Sequence, residues 1–234
     1  DFIASASHEL KTPITSISGF SELLLSGVVT KEEDRMQFLS DIHREAVNMK
    51  GTVEELLYLS RLDSVEDNAD FREKVDLAAL ARRSVKMFTP AAQKAGVTLL
   101  QEGRAVFVNG NASILEHMVN NFIDNAVKYN HQGGEVVVRT GTEKGKCYLR
   151  VSDTGQGIDP KDIDNLFERF YRGDKSRNRD TGGTGLGLPI AKKIGDLHHA
   201  KITISSRKGK GSVFTVLFEP YVPPQTENEA SSGK

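Results

Sequence analysis

An apolar heptad organises the opening stretch: Ile3, Leu10, Ile17 and Leu24 form one row, and Ala6, Pro13 and Phe20 form the row beside it. Such a seam specifies a helix to about Leu25 and demands a partner for it. Ser26-Gly27-Val28-Val29 breaks the pattern. Thr30 with Glu33 has the spacing of an N-cap and its reciprocal glutamate, so a second helix is predicted from there to about Leu62. Met36, Leu39, Ile42, Ala46, Met49, Val53, Leu56 and Leu57 mark its apolar face. Two helices joined by so short a turn make a hairpin, which buries too little apolar surface alone. The expectation is an α-helical hairpin that pairs with a second copy as a dimeric four-helix bundle.

His8 sits inside this first helix, in Ser7-His8-Glu9-Leu10-Lys11-Thr12-Pro13. At about 100° per residue it points away from both apolar rows, so it is not a core histidine. A carboxylate from Glu9 on one ring nitrogen would leave the other as a neutral nucleophile, with Thr12 one turn away. A solvated His-Glu pair fits the same residues. A His-Glu-x-x-His zinc site is excluded, because Thr12 occupies the second ligand position. Pro13 removes the N–H partner of the Glu9 carbonyl, and a bend is expected there. His43 lacks both the acidic successor and the proline and reads as surface.

With 234 residues the chain is long enough for a second domain. Its 31 basic and 32 acidic residues cancel, which removes the bulk electrostatic case for a nucleic-acid or anionic-membrane partner. Any phosphate site must be local. Cys147 is the only cysteine, so intrachain disulfides are excluded, and a reducing compartment suits it. No apolar run approaches the roughly 20 residues of a membrane span. The heptad register is already running at Asp1-Phe2-Ile3, and the expectation is a helix that continues upstream into a part holding a sensor or transmembrane segment.

The polar run Asp63–Asp70 marks a boundary. Domains are therefore expected at 1–66 (helical hairpin) and 76–220 (mixed α/β), with a linker over 67–75, a hinge near Asp67 and a polar tail over 221–234. Within the second domain a helix capped by Asp76 should reach about Phe88, with Pro90 starting a new turn. Strands are predicted at 97–100 and 105–108, then a helix capped by Asn111 reaching about Tyr129, then strands at 135–140 and 147–151. A short helix from Asp159 to Phe167, a helix over 186–197 and strands at 201–205 and 212–218 follow.

Asn121, Asn125 and Lys128 stack along one face of the Asn111 helix. Amide oxygens and a cation suit Mg²⁺ and phosphate, although a solvated polar face reads equally from them. Asp153-Thr154-Gly155-Gln156-Gly157 follows an apolar strand, where a carboxylate can accept from an exocyclic amine and so favour adenine; a plain turn is the other reading. Gly182-Gly183-Thr184-Gly185-Leu186-Gly187 opens a helix and offers backbone N–H groups to an anion, or is a flexible linker. It lacks the Lys-Ser/Thr of a P-loop and the third glycine of a dinucleotide fold. The polar segment Gly173–Thr181 before it has the composition of a lid.

Taken in order, Ser-His-Glu-Leu-Lys-Thr-Pro, the Asn121…Asn125-Ala-Val-Lys-Tyr box, Asp153-x-Gly-x-Gly, Phe167-Glu-Arg-Phe-Tyr-Arg and Gly183-Thr-Gly-Leu-Gly-Leu resemble the motifs of the sensor histidine kinases of two-component systems. The resemblance implies a dimerisation and phosphotransfer hairpin followed by an ATP-binding α/β sandwich of the gyrase, chaperone and mismatch-repair ATPase type (GHKL, or Bergerat). It implies His8 as phosphoryl acceptor, Glu9 as its base and Thr12 as the residue positioning water for dephosphorylation of a partner. Asn121 and Asn125 would hold Mg²⁺, with Lys128, Tyr129 and Asp153 contacting ATP and Gly155, Gly157, Gly183, Thr184, Gly185, Leu186 and Gly187 shaping its pocket. Phe167 and Phe170 match the aromatic box, and Arg169 or Arg172 would stabilise the γ-phosphate. Implied partners are a second copy and a response-regulator receiver domain, its specificity carried around Ser16, Ile17 and Phe20. The implied location is the cytoplasmic part of a membrane-anchored sensor. Asn121 stands where hydrolysing relatives of the wider superfamily place a glutamate, and an amide cannot take a proton, so hydrolysis by water should be slow. His198-His199-Ala200 departs from the histidine and two glycines common at this turn, which should alter the turn and leave the chemistry.

Overall fold

A computed structural model describes residues 2–65, 71, 73–173 and 183–223, with side chains from Ala4 onward. It divides into two units, one of residues 1–65 with 164–190 and one of residues 66–163 with 191–234. The lid segment from 174 and most of the tail lie outside the described residues, as does the hinge near Asp67.

The first unit contains α1 (Phe2–Leu25) and α2 (Glu32–Asp63). α1 ends where Gly27 takes φ +72°, the left-handed turn that glycine makes at little cost. The two helices pack as the expected hairpin, with Phe20 stacked on Phe38 at 5.4 Å. Thr30 does not cap α2. Lys31 holds that position without a side-chain hydrogen bond, and Glu32, Glu33 and Asp34 fill the first turn. Three carboxylates against the positive helix end substitute for a hydroxyl cap. α1 runs unbroken through Pro13. Around it the hydroxyls of Thr12, Thr15 and Ser16 donate to the carbonyls of His8, Lys11 and Thr12.

The second unit is a five-stranded sheet with a helical layer on one face. Strands β2 (Thr98–Gly103), β4 (Glu135–Glu143), β5 (Lys146–Asp153), β7 (Gly211–Phe218) and β6 (Lys201–Arg207) lie side by side in that order. Only the β2–β4 pair is parallel. β1 (Glu73–Asp76) and β3 (Phe107–Gly110) form a separate antiparallel pair. β1 was not foreseen: it lies in the stretch expected as linker, where only Val75 is buried and there is too little alternation to show a strand.

α3 (Leu77–Lys94) and α4 (Ala112–Lys128) cover the inner face of the sheet, burying Leu77, Leu80, Leu115, Met118, Val119, Phe122 and Ile123. Phe122 meets Phe214 at 5.3 Å between ring centroids. Both predicted caps form: Asp76 accepts from Ala78 N, and Asn111 accepts from Ser113 N and Ile114 N. α3 does not stop at Phe88. It passes Pro90 on an exposed side of the helix, where water can take the carbonyl that the proline leaves bare. The short helix after Asp159 is a 3₁₀ segment, Pro160–Asn165.

Strand alternation positions the site. Val138, Val151 and Phe214 form one cross-strand row on the inner face, and Val136, Asp153 and Ser212 form the row two residues along. Asp153 thus belongs to the core-facing row at the end of β5.

α5 (Gly187–Leu197) carries buried Ile190, Ala191, Ile194 and Leu197, and Pro189 falls harmlessly in its first turn. It closes with His199 N donating to Asp196 O and Ala200 N to Gly195 O, a Schellman turn. His199 occupies the left-handed position at φ +50°. A β-carbon there is strained, so His199→Gly should raise stability by about 1 kcal/mol. Thermal melting is expected to show a midpoint about 2–4 °C higher.

Candidate nucleotide and phosphoacceptor sites

In the second unit the site residues meet where the C-terminal end of α4 faces the loop after β5. Asp153 Oδ1 accepts from Gly155 N at 2.8 Å and from Ser212 N at 3.2 Å. Both bonds fall on one oxygen, which leaves Oδ2 for a donor. Burial raises the pKa of this carboxyl, and its two backbone N–H bonds work in the opposite direction.

The loop is fixed at several points. Gln156 N donates to Tyr129 O, Gly209 N to Gln156 O, and Ile158 N to Ser206 Oγ. A β-carbon on Gly155 would stand 2.4 Å from Tyr129 O, so only glycine lets the loop lie against the helix end. Gly157 continues the same loop.

On α4, Asn121, Asn125 and Lys128 are partly exposed along one side, with Tyr129 at the C-cap. Asn121 Nδ2 is shielded from solvent and has no hydrogen-bond partner among the described residues. A half-turn of the amide would aim its oxygen into the same space. No cluster of three or more His, Cys, Asp or Glu suited to a metal occurs among the described residues. The amides of Asn121 and Asn125 offer oxygen ligands, the kind that Mg²⁺ takes while retaining water.

In the first unit, Phe170 N donates to Gly185 O, and Phe170 and Gly185 both have positive φ, +64° and +73°. A β-carbon on Gly185 would meet the Phe170 backbone at 2.8 Å. The aromatic box and the glycine segment are thereby joined. Thr184 Oγ1 accepts from Leu186 N just before α5 and donates to Glu55 of α2. Arg169 pairs with Asp63 of α2 at 2.8 Å. Phe167, Arg172, Gly183 and Gly187 are partly exposed, and Leu186 is fully buried.

His8 is exposed on α1 and Glu9 is half-buried beside it. Among the described residues no hydrogen bond joins them, since consecutive helix residues point about 100° apart. Sequence reasoning missed Ser212, Ser206, Glu55 and Asp63. Their roles come from long-range pairings that leave no local signal.

Residues 1–65 match the His Kinase A (phospho-acceptor) domain, and residues 110–222 match the histidine kinase-, DNA gyrase B-, and HSP90-like ATPase family. The phosphate regulon sensor protein PhoR of Pseudomonas aeruginosa is 37% identical over 231 residues, 98% of this chain and 52% of that protein. The chain is the catalytic core of a sensor histidine kinase. Sensor-like histidine kinase SenX3 of Mycolicibacterium smegmatis is 33% identical, across 98% of this chain and 59% of its own length. The kinase core thus spans a little over half the length of these relatives. The histidine kinase AdeS of Acinetobacter baumannii has the same fold, with a TM-score of 0.72 at 24% identity over 92% of this chain and 98% of that one. No helix among the described residues is long and apolar enough to cross a membrane.

Burial of the Asp153 carboxyl costs the fold stability. With its pKa raised in the fold, stability falls as pH rises through that value, because the ionised form is the one burial penalises. Asp153→Asn should therefore leave the melting temperature at neutral pH unchanged or higher. It should weaken Mg-ADP binding by about 10- to 100-fold, which calorimetry would measure.

Proposed function

We propose that this chain uses ATP to phosphorylate itself on His8 and passes the phosphoryl group to an aspartate on the receiver domain of a response regulator. The observation that supports this most is one chain carrying both an exposed histidine on a phospho-acceptor hairpin and a part-buried aspartate, bonded through one oxygen, on an ATPase-type sheet. The functional division is a phosphotransfer hairpin (1–66) and an ATP-binding domain to 220 that begins with β1 at Glu73, inside the stretch expected as linker (67–75).

Asp153 Oδ2 takes the adenine amino group, and Gly155 and Gly157 keep backbone bulk away from the base. Asn121 and Asn125 would hold Mg²⁺, which would supply charge neutralisation at the phosphates. Lys128 and Tyr129 border the nucleotide, as do Phe167 and Phe170. Backbone N–H groups of the Gly183–Gly187 segment, with Thr184 and Leu186, are the first unit's candidates for binding phosphate. Arg169 or Arg172 neutralises charge on the γ-phosphate. For Arg169 this requires leaving Asp63, an exposed pair that costs little to part.

One His8 ring nitrogen forms a bond to the γ-phosphorus as the bond to the bridging oxygen breaks and ADP leaves. The proton on the other ring nitrogen goes to Glu9, which a change of side-chain rotamer brings alongside. Asn121 cannot act as a base toward water, so His8 is the favoured acceptor. In the reverse duty, Thr12 orients a water to remove phosphate from the regulator.

Exposed Ile14, Met36, Leu39 and Leu57 support a homodimer, each keeping half or more of its surface in solvent in one copy. The structure of histidine kinase ThkA in complex with response regulator protein TrrA shares the fold, with a TM-score of 0.74 at 21% identity over 96% of this chain and 62% of that one. Its partner supports a regulator as substrate here. Phe20 is engaged with Phe38, so Ser16 and the start of α2 carry more of the regulator choice. In the full protein the core belongs to the cytoplasmic part of a membrane-anchored sensor.

Intact mass after Mg-ATP incubation should show an acid-labile gain of one phosphate that His8→Ala abolishes. A gain that persists in His8→Ala, or none while ADP still binds, would overturn the reading. Thr12→Ala should keep autophosphorylation within about twofold and slow dephosphorylation of an added phospho-receiver by about 10-fold or more.

A further inference from the structure

His198 is buried at the end of α5, outside the residues assigned to the nucleotide. Its Nδ1 lies 2.8 Å from the carbonyl oxygen of Ile194, one turn back in its own helix. A carbonyl can only accept, so Nδ1 carries the proton. In the neutral ring Nε2 is then a bare acceptor, and it receives the backbone N–H of Asn111 at 3.1 Å. One tautomer satisfies both ends.

The surroundings hold the ring in that place. Phe71 stacks on it at 4.6 Å with 14° between the planes. A β-carbon on Gly110 would stand 3.1 Å from Cδ2 of the imidazole and 2.6 Å from Leu115, so the close approach needs glycine just before the cap. Burial lowers the pKa of His198, keeping it in the neutral form that the bond from Asn111 requires, while the bond to Ile194 works in the opposite direction.

Asn111 is the N-cap of α4, and its side chain takes the N–H groups of Ser113 and Ile114. The cap therefore faces two ways, inward to α4 and outward to α5. Asn121, Asn125 and Lys128 ride on the helix that begins there, Asn121 about 15 Å along its axis. A shift at the cap moves all three as one body relative to Asp153.

We propose that His198 is a positioning residue for the nucleotide site, fastening the start of α4 to the end of α5 and so setting where Asn121, Asn125 and Lys128 stand. This rests on the assignment of those three residues to nucleotide and Mg²⁺. Its neighbour His199 has no such role and only fills the left-handed turn.

Two conservative variants separate the bonds. Glutamine can present an acceptor near the position of Nε2, and asparagine can present a donor near the position of Nδ1. His198→Gln should keep the Asn111 tie, whereas His198→Asn and His198→Leu should lose it. The readouts are Mg-ADP affinity by calorimetry and hydrogen exchange at the Asn111 amide. Expected are affinity within twofold of the parent chain for Gln, a five- to tenfold loss for Asn and Leu, and faster Asn111 exchange in the latter two only. Parent-like affinity and protection in His198→Asn would overturn the proposal, as would equal losses in Gln and Asn. Should the parent chain not bind Mg-ADP, the nucleotide reading fails and this role falls with it. The exchange measurement on the apo chains would still decide whether His198 holds the cap.

Discussion

Burying a carboxylate at the end of a strand is the constraint on which the nucleotide half of this molecule depends. Asp153 shares the inner face of the sheet with Val136, and two backbone N–H groups compensate only part of the cost of its burial. Ser212 supplies one because β5 and β7 pair in the register that sets it opposite Asp153. Gly155 supplies the other because the loop after β5 folds tightly against the end of α4. Both bonds fall on Oδ1, which leaves Oδ2 available to a donor at the edge of a packed core.

The same economy appears along α4. Its inner side is committed to Phe122 and the sheet, while its other side leaves Asn121 with a shielded, unbonded amide. Polar groups in such positions weaken a fold unless something binds them. In the proposed reading, Asp153 Oδ2 and the Asn121 amide are satisfied by the nucleotide and its metal. The hairpin contributes the opposite arrangement, an exposed histidine on helices that leave Ile14, Met36, Leu39 and Leu57 in solvent.

Much of this was legible in the sequence because it was local. The heptad through Leu24 predicted α1 to its last residue, and Asp76 and Asn111 announced their caps through side chains that reach only two or three residues ahead. Errors came where local signals competed with context. Thr30 had the right spacing for a cap, but three acidic residues at the helix start made it unnecessary. Pro90 looked like a break, but on an exposed face a helix tolerates it. β1 was hidden because its partner β3 lies more than thirty residues away. The motif residues were found by type and spacing, whereas Ser212, Ser206 and His198 act through contacts that only the assembled sheet creates.

If Asp153 reads adenine and His8 is the acceptor, ATP bound at Asp153 is the source of the phosphoryl group that His8 receives. The most direct test offers the chain Mg-ATP or Mg-GTP at equal concentration and locates the phosphate by peptide mapping at neutral to alkaline pH, where phosphohistidine survives. The account predicts His8 as the modified residue, with ATP favoured by at least about tenfold because guanine presents an acceptor where adenine presents a donor. Equal labelling by the two nucleotides, or phosphate on another residue, would contradict it.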